Sequence, residues 1–476
     1  MTLSVGSSST IRTRAMVLDP LAQAAGGAER LVCYYHLILA AMSRWAWSCP
    51  RTVDSLGLET QATRACSFSY LMGDVWPRAD ERMISHVFGV HDDKTLEQFN
   101  DVASRAERAA LMADGHFGYV MPIGGVAAYR NKVSPIGVGV DIGCGNAAIR
   151  TDLIAEALVD DLSDLADEIF NTIAFGPGMS NSCDDAPKDD PLFEDPRWAV
   201  IPRKHRGNLQ GKSRAQLGTT GGGNHYVDVF SDEVGVVWVG VHFGSRALGF
   251  NLAHNFVALA QGLDWGDRPD MNAEVLLDLD TPLGHDYWEA MNLAGKYAYA
   301  GREWVTRKVV EILGGKELEF VHNHHNFAWK EDHGGEELVV VRKGATPAFP
   351  GQKGFVGGSM GDDSVILQGS KETDDRALHS TVHGAGRVMG RMEAAGKWKK
   401  GRMVRPGRIN HGEMEAWLDE KGVVLRGGDL DEAPQAYRRL PDVLAAQGDT
   451  IEVLHTLRPL IVCMAPSRTR PTRENP

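Results

Sequence analysis

The chain has 476 residues, of which 43% are hydrophobic and 24% charged, and its formal net charge is −13. These values are ordinary for a globular protein and exclude wholesale disorder and fibrous repeats. A protein that coats nucleic acid without specificity is normally basic, so any nucleic-acid site must be a local basic groove on an acidic body. A chain of this length has enough apolar surface for a large core without disulfides.

The cysteines and the apolar segments bear on the compartment. Six cysteines are scattered along the chain: Cys33, Cys49, Cys66, Cys144, Cys183 and Cys463. They share no CxxC spacing, which suits a reducing compartment. The best candidate for a membrane span, residues 31–42, contains His36 and is far shorter than the roughly 20 apolar residues that a bilayer requires. We therefore expect a cytoplasmic protein with no membrane partner.

Helix and strand signals alternate along the chain. Residues 1–70 are rich in Ser, Ala and Thr, which indicates a mobile extension or a loosely packed cap. Apolar spacing predicts helices over residues 93–112, 152–173 and 288–313. Strands are predicted over residues 234–242, 317–322, 337–342 and 364–367. Residues 174–216 have the composition of a loop that carries a basic cluster at 203–214. The interleaving favours an α/β or α+β class.

Four short strings contain side chains that can bind a cation. In residues 141–144, a carboxylate and a thiol three positions apart can converge on one ion, although a lone buried cysteine is more often a small hydrophobe. Asn224 and His225 follow three glycines that let the backbone approach a ligand closely, or that simply form a turn. His242 ends an apolar strand, where ligand-binding side chains are common. Residues 322–326 hold three histidines, which cannot all be ligands because successive strand residues face opposite ways.

Taken as one set, these strings offer a carboxylate, a thiol and three imidazoles. The members are Asp141, Cys144, His225, His242 and His325. Such a set suits Mn²⁺, Co²⁺ or Zn²⁺, and a bridging thiolate could hold two ions a few ångströms apart. The order of the residues along the chain does not by itself prove that they converge.

Glycine-rich segments further along resemble a cradle for phosphate. They are residues 342–346, 358–361 and 383–387, and their backbone N–H groups and arginines can bind phosphate oxygens. His383 stands before a Gly-Ala-Gly turn, where a neutral imidazole can attack phosphorus. None of these segments is a Walker A motif or a dinucleotide-binding fingerprint, and glycine-rich loops are usually only turns.

From about Tyr70 to Val462 the chain resembles the RtcB family of RNA-splicing ligases, and the resemblance rests on eight ordered strings. They are MADGHFGYVMPIGG, VGVDIGCG, GTTGGGNHYVDV, HFGSRALG, HHNFAWKE, RKGATPA, GGSMG and HGAGR. The resemblance implies an α+β fold, with a single large catalytic domain of mixed sheets and flanking helices over residues 71–465. Residues 1–70 would be an N-terminal extension and residues 466–476 a C-terminal tail.

The resemblance also implies a reaction. Family members join RNA 3′-phosphate or 2′,3′-cyclic phosphate ends to 5′-hydroxyl ends in tRNA splicing or RNA repair, with GTP as co-substrate and two Mn²⁺ ions. Carried over, it makes the five residues above the metal ligands, with Cys144 bridging. His383 would be guanylylated, with Asp114 beside it. The implied nucleotide-binding residues are Asn224, Asp228, Asn326, Ser359, Met360, Gly384, Ala385, Gly386, Arg387 and Tyr437. The basic cluster at 203–214 would meet the backbone of the RNA partner, which would be tRNA halves or cleaved RNA.

The end of the chain departs from the family pattern. Met464 falls where the family has a lysine that helps to recognise guanine, and methionine offers no cation. Gly357 and Val365 replace a usual proline and tyrosine, and Asp228 replaces a glutamate. Two alternatives therefore stand beside the ligase. One is a paralogue with altered nucleotide use that acts as a nucleotidyltransferase or RNA end-processing enzyme. The other is a non-catalytic RNA-binding protein stabilised by metal.

Overall fold

The computed structural model describes residues 84–370, 375–399 and 402–466. Its strands are β1 (Ile84–Val87), β2 (Arg108–His116), β3 (Ile123–Tyr129), β4 (Lys132–Val133), β5 (Gly145–Ile154), β6 (Ala174–Phe175), β7 (Thr219–Gly221), β8 (Tyr226–Ser231), β9 (Val236–Phe243), β10 (Leu277–Asp278), β11 (Glu317–His324), β12 (Asn326–Asp332), β13 (Glu337–Lys343), β14 (Ala345–Pro347), β15 (Lys353–Val356), β16 (Ser364–Gly369), β17 (Ser380–Val382), β18 (Lys397–Lys399), β19 (Arg402–Arg405), β20 (Val424–Gly428) and β21 (Ile451–Pro466). Its α-helices are α1 (Asp93–Ala103), α2 (Pro135–Val138), α3 (Leu162–Thr172), α4 (Arg203–Gln216), α5 (Arg246–Ala260), α6 (Pro282–Ile312), α7 (Arg391–Ala394), α8 (His411–Lys421) and α9 (Leu440–Gln447).

The largest sheet has eight strands. Its order is β11-β5-β9-β8-β21-β16-β15, and β20 pairs in parallel with β21. The pairs β11/β5, β5/β9 and β9/β8 are antiparallel. Because neighbouring strands run in opposite directions, the start of β5, the end of β9, the start of β8 and the end of β11 meet at one edge. That edge carries the candidate ligands.

A second sheet has the order β1-β2-β3-β13-β12. Its first pair is parallel and the other three are antiparallel. Mixed sheets with flanking helices confirm the α+β class.

The long helix α6 packs across the large sheet. It begins after Thr281, whose side chain accepts the N–H of Gly284, and its first helical residue is proline, which suits a helix start. Its buried face includes Tyr287, Tyr297 and Val305 and contacts β5 and β9. Fully burying one such apolar side chain contributes about 1.5–3 kcal/mol, so this face fixes the helix against the edge that holds the site.

The predicted strands are confirmed to within a few residues, but two other predictions were wrong. The helix predicted over residues 93–112 ends at Ala103, and residues 108–116 form β2. Strand β2 is buried on both faces and is apolar at every position except its ends and Asp114. A continuous apolar sequence of this kind does not distinguish a helix from a buried strand. Part of the predicted loop is instead helix α4, whose buried residues are only Leu209 and Ser213. A helix with so narrow an apolar face carries little periodic signal.

Three remaining predictions concern the termini and the membrane. In the described part of the chain, no helix is long and apolar enough to cross a membrane. Residues 1–70 and the tail beyond Pro466 lie outside the described residues, so the predictions for them stay predictions.

Candidate two-metal and nucleotide site

The five predicted metal ligands converge at the shared edge of the large sheet. Cys144 Sγ lies 3.6 Å from His225 Nε2 and 3.4 Å from His242 Nε2. His242 Nε2 is 3.0 Å from His325 Nε2, and His225 Nε2 is 3.2 Å from Asp141 Oδ2. Two groups of ligand atoms result, each within 4.8 Å: the cysteine with His242 and His325, and the cysteine with Asp141 and His225. The thiol belongs to both groups.

Backbone carbonyls fix the tautomers of two of these imidazoles. His225 Nδ1 lies 2.8 Å from the Thr220 carbonyl oxygen, and His242 Nδ1 lies 3.1 Å from the Asn224 carbonyl oxygen. Because a carbonyl oxygen can only accept, each Nδ1 must carry the proton and donate it. Each Nε2 is then left with a lone pair that faces the cluster, the usual arrangement of a metal-binding histidine.

The third imidazole is held by an amide side chain. His325 Nδ1 lies 3.2 Å from Asn326 Oδ1, and the Gly344 N–H donates to that same oxygen at 2.7 Å. The Gly344 N–H can only donate, so the Asn326 atom that it meets must be the amide oxygen. That oxygen can only accept, so His325 must donate to it through Nδ1. The three Nε2 lone pairs and the Cys144 thiol therefore face one another, with no proton between the imidazoles. Such an arrangement can hold cations in the space between these atoms. The donor set is chemically suited to two divalent ions.

A buried arginine supports the cluster from behind. Arg302 donates to the carbonyl oxygens of Gly143 at 2.8 Å and Phe243 at 2.5 Å, and both residues are next to a cluster ligand in the chain. Its other N–H groups meet His322 and His324, each at 2.9 Å. Burial lowers the pKa of Arg302 to about 10, so its charge remains at neutral pH. Of the three histidines in residues 322–325, only His325 joins the ligands.

His383, the predicted nucleophile, is clamped by Asp114. His383 Nδ1 lies 2.6 Å from Asp114 Oδ2, and the same oxygen accepts the backbone N–H groups of His383 at 3.0 Å and Gly384 at 3.3 Å. Burial acts to raise the pKa of Asp114, but its interactions with His383 outweigh burial and lower it. With Nδ1 turned to the carboxylate, Nε2 is the nitrogen available for attack. The His383 ring centroid is 4.9 Å from that of His325, so the predicted nucleophile adjoins the candidate metal ligands.

A cavity of about 590 Å³ opens in front of His383. This size is typical of a small-molecule site. Predicted nucleotide-binding residues on its wall are Asn224, Asp228, Ser359, Met360, Gly384, Ala385, Gly386, Arg387 and Tyr437. Asn326 is not on this wall, and its side chain instead orients His325.

One end of the cavity contains unmatched polar atoms. Asp228 Oδ1 and the Tyr226 hydroxyl are buried without a hydrogen-bond partner. Burial raises the pKa of Asp228 well above its ordinary value, and the Cys463 backbone N–H only partly offsets this. Strand β21 pairs with β8 so that Val462 lies opposite Asp228 and Met464 opposite Tyr226. Within the described residues, Asp228 has no basic partner.

Arg387 lies on the cavity wall, but protein groups occupy most of its N–H donors. It donates to Glu432 Oε2 at 3.0 Å, to the Tyr437 hydroxyl at 2.8 Å and to the Asp431 carbonyl oxygen at 2.5 Å. A further bond goes from its Nε to the Met389 carbonyl oxygen. The arginine therefore builds the wall that carries Tyr437, in addition to the phosphate role that the sequence predicted.

Sequence reasoning missed several residues of the site. Arg246 lies against Gly221, whose φ of +88° is a conformation that favours glycine. His116 lies on the cavity wall, and burial lowers its pKa to about 4. Both residues stand inside strings that the sequence analysis quoted. The motifs contained them, but nothing in spacing alone marked them as part of the site.

The fold and the site describe an α+β protein with a cluster of five candidate metal ligands beside a cavity and a histidine held next to a carboxylate. A family model described as tRNA-splicing ligase RtcB matches residues 96–465. The chain belongs to this RtcB family, which confirms the resemblance drawn from the eight strings.

Named relatives agree with the family match. The RNA-splicing ligase RtcB of Escherichia coli (strain K12) is 33% identical over 382 residues, which cover 75% of this chain and 89% of that protein. The tRNA-splicing ligase RtcB of Thermococcus kodakarensis is 30% identical, covering 77% of this chain and 89% of that protein. The corresponding protein of Archaeoglobus fulgidus is 32% identical, covering 74% and 86%.

Proposed function

We propose that this protein is a GTP- and Mn²⁺-dependent RNA ligase. It would join RNA 3′-phosphate or 2′,3′-cyclic phosphate ends to 5′-hydroxyl ends. The observation that carries the proposal is the clamp of His383 on Asp114 beside the two-metal ligand cluster. A structural role would need neither a presented imidazole nor a cavity in front of it. The names of the bacterial and archaeal relatives, RNA- and tRNA-splicing ligases, support the same reaction.

The reaction would proceed through a covalent enzyme intermediate. His383 Nε2 attacks the α-phosphorus of GTP, an N–P bond forms, and the α–β P–O bond breaks with release of pyrophosphate. The guanylyl group then passes to the RNA 3′-phosphate, which frees the histidine. Attack of the 5′-hydroxyl on the activated phosphate expels GMP and seals the strand. Dividing one difficult condensation in this way lowers each barrier.

Protein side chains have distinct parts in these steps. Asp114 orients the imidazole and stabilises the positive charge that develops on it when Nε2 bonds to phosphorus. The cluster ligands would hold two Mn²⁺ ions, which supply charge neutralisation for the phosphate oxygens when bound. The backbone of residues 384–386 faces the nucleotide, and Tyr437 offers an aromatic ring to the base.

The RNA partner would be tRNA halves or cleaved RNA in the cytoplasm. Exposed basic residues Arg203, Lys204 and Lys212 of helix α4 are suited to its backbone. One observation favours a second candidate: the unmatched Asp228 and the Met464 beside it suggest altered nucleotide use. A nucleotidyltransferase that caps or trims RNA ends would fit that change. The presented His383 argues against a purely non-catalytic RNA-binding protein.

The test is covalent labelling followed by product analysis. The protein, loaded with Mn²⁺, is incubated with α-labelled GTP and denatured, and we expect acid-labile label on the chain. His383→Ala should remove all label, whereas His285→Ala, an exposed histidine on α6, should retain it. Label that persists in His383→Ala would refute the nucleophile. Sealed circles from RNA with a 3′-phosphate and a 5′-hydroxyl would support ligation, whereas capped or trimmed ends would support the second candidate.

A further inference from the structure

Next to the candidate site, the chain forms an exposed hairpin of basic residues. The basic hairpin is defined here as strands β18 (Lys397–Lys399) and β19 (Arg402–Arg405), which pair in antiparallel fashion. Residues 391–408, which comprise the hairpin and its flanks, contain seven basic residues and one acid, Glu393. The net charge of the whole chain is −13. So sharp a local reversal of charge marks a surface for a polyanion.

The described cations of the basic hairpin face solvent. Every residue of β19 is exposed, as are Lys397 and Lys399. Within the described ranges, the structure gives no ion pair to Lys397, Lys399 or Arg402. By contrast, Arg408 is paired with Glu393 at 2.8 Å. Side chains that stabilise the fold would be matched with acids in this way, so the unmatched ones are available to an external anion.

A second cavity connects the basic hairpin to the site. It has a volume of about 400 Å³, and its wall includes Lys397, Arg391 and the glycines 222 and 223. Arg391 and Glu432 belong to the walls of both cavities. Gly223 lies against Arg391, since an added Cβ would come within 3.0 Å of the guanidinium. The basic hairpin and the loop that precedes the candidate metal ligand His225 therefore border the same cavity.

Three acids line the second cavity, Asp429, Asp431 and Glu432, and the last two are paired with arginines. Asp431 Oδ2 accepts from Arg391 at 2.8 Å, and Glu432 accepts from both Arg391 and Arg387. Their charges are thus matched by arginines in place. Apolar area is also exposed on this side, at Met392 with 58% exposure and Met403 with 47%. A row of exposed cations that follows the phosphates is the electrostatic part of single-strand recognition.

We infer that the basic hairpin and the second cavity form a docking surface for the backbone of a single RNA strand whose end enters the candidate site. This inference rests on the proposed function, because it is the ligase that requires a second strand end beside the nucleotide. The strand lies along β18 and β19, with its phosphates on the exposed cations and its terminus directed past Lys397 toward the candidate site.

The inference is tested by removing three exposed cations that lie on neither cavity wall. The variant is Lys399→Ala/Arg402→Ala/Arg405→Ala. A matched control, Lys94→Ala/Lys316→Ala/Lys330→Ala, removes the same charge from exposed positions on other elements. Binding of a fluorescein-labelled 20-nucleotide RNA with a 3′-phosphate is measured by anisotropy over a range of salt concentrations. Thermal melting verifies that both variants fold.

The hairpin variant should lose affinity by more than about tenfold at low salt, and the slope of log affinity against log salt should fall by about 2. The control should bind like wild type. Equal binding by both variants would overturn the inference, as would a loss confined to duplex RNA or to anionic lipid vesicles. Covalent labelling of the wild-type protein by GTP tests the proposed function separately. If the wild type takes no label while the hairpin variant still loses RNA affinity, the proposed function fails and the docking surface stands.

Discussion

The metal-ligand cluster lies close to the end of the cavity that contains Asp228 and Tyr226, called the base end here. The two regions differ in how completely their polar atoms are hydrogen-bonded. In the cluster, each imidazole has a partner that fixes its Nδ1 proton, at 2.8 Å for His225 and 3.1 Å for His242. At the base end, Asp228 Oδ1 and the Tyr226 hydroxyl are buried with no partner. Leaving such atoms unsatisfied costs about 1–3 kcal/mol each.

The difference shows what each region determines. The ligands of the cluster come from adjacent strands whose register is fixed, so few alternative arrangements exist. The base end leaves hydrogen bonds for a ligand to complete, and the Asp228 carboxyl there can gain or lose a proton. Under the proposed function, the cluster would set the chemistry and the base end would set which nucleotide is used.

The largest expected effect comes from removing the atom that the two ligand groups share. Cys144→Ala takes a ligand from both groups, so we expect Mn²⁺ stoichiometry to fall from two to at most one, with affinity reduced by at least ~100-fold. Equilibrium dialysis with metal analysis measures both. Cys183→Ala removes a thiol outside both groups and should bind metal like wild type. If the wild type binds no more than one ion, the interpretation of Cys144 as a bridge is wrong.

A smaller effect is expected behind the cluster. Arg302→Met keeps the length of the side chain but leaves the Gly143 and Phe243 carbonyl oxygens unsatisfied. We expect metal affinity to fall by about 10–100-fold, as when other partners that orient ligands are lost. The absorption spectrum of the Co²⁺-loaded protein should change, because the cysteine and His242 ligands shift.

The control for that prediction is Thr306→Val, one turn along the same helix. The Thr306 hydroxyl is buried and donates to the Arg302 carbonyl oxygen at 2.7 Å, but it touches no ligand. It should lower the melting temperature without changing the Co²⁺ spectrum. If both variants lose stability and neither changes the spectrum, Arg302 serves the fold alone.

The candidate metal ligands could be selected from the sequence because unusual side chains stand in ordered strings. Their convergence could not be predicted, since it depends on strand register, with Asn146 opposite His242 and His242 opposite Tyr226. The supporting role of Arg302 could not be predicted, because an arginine in a long helix is ordinarily a surface residue. Helix α4 was missed for a related reason, because its charged sequence buries little.

The nucleotide wall shows the same limit. The glycines before Arg387 indicated a phosphate cradle, and they do line the cavity. The acceptor that holds Arg387, Glu432, lies 45 residues later in the chain. A contact between residues so far apart depends on tertiary packing, and local composition carries no trace of it.

The smallest expected effect concerns the choice of base. Asp228 has its pKa raised by burial, so it holds its proton at a pH where most carboxyls are ionised. A protonated carboxyl donates once and accepts once, which matches the N1–H and O6 of guanine as well as the N1 and N6–H of adenine. An ionised one only accepts, which suits the N1–H and N2–H of guanine and repels the N1 lone pair of adenine. Selectivity for GTP over ATP should therefore rise with pH.

We expect the ratio of GTP to ATP labelling to increase by about tenfold as pH rises through the pKa of Asp228, the worth of one hydrogen bond. Because both nucleotides would react with the same residue, His383, effects on the nucleophile should cancel in the ratio. The neighbouring Tyr226 and Cys463 stay neutral, since burial raises the pKa of both groups. Asp228→Asn should make the ratio independent of pH. Met464→Lys should move the rise to lower pH, because a nearby ammonium favours the carboxylate. A ratio that stays flat in the wild type would show that Asp228 does not select the base.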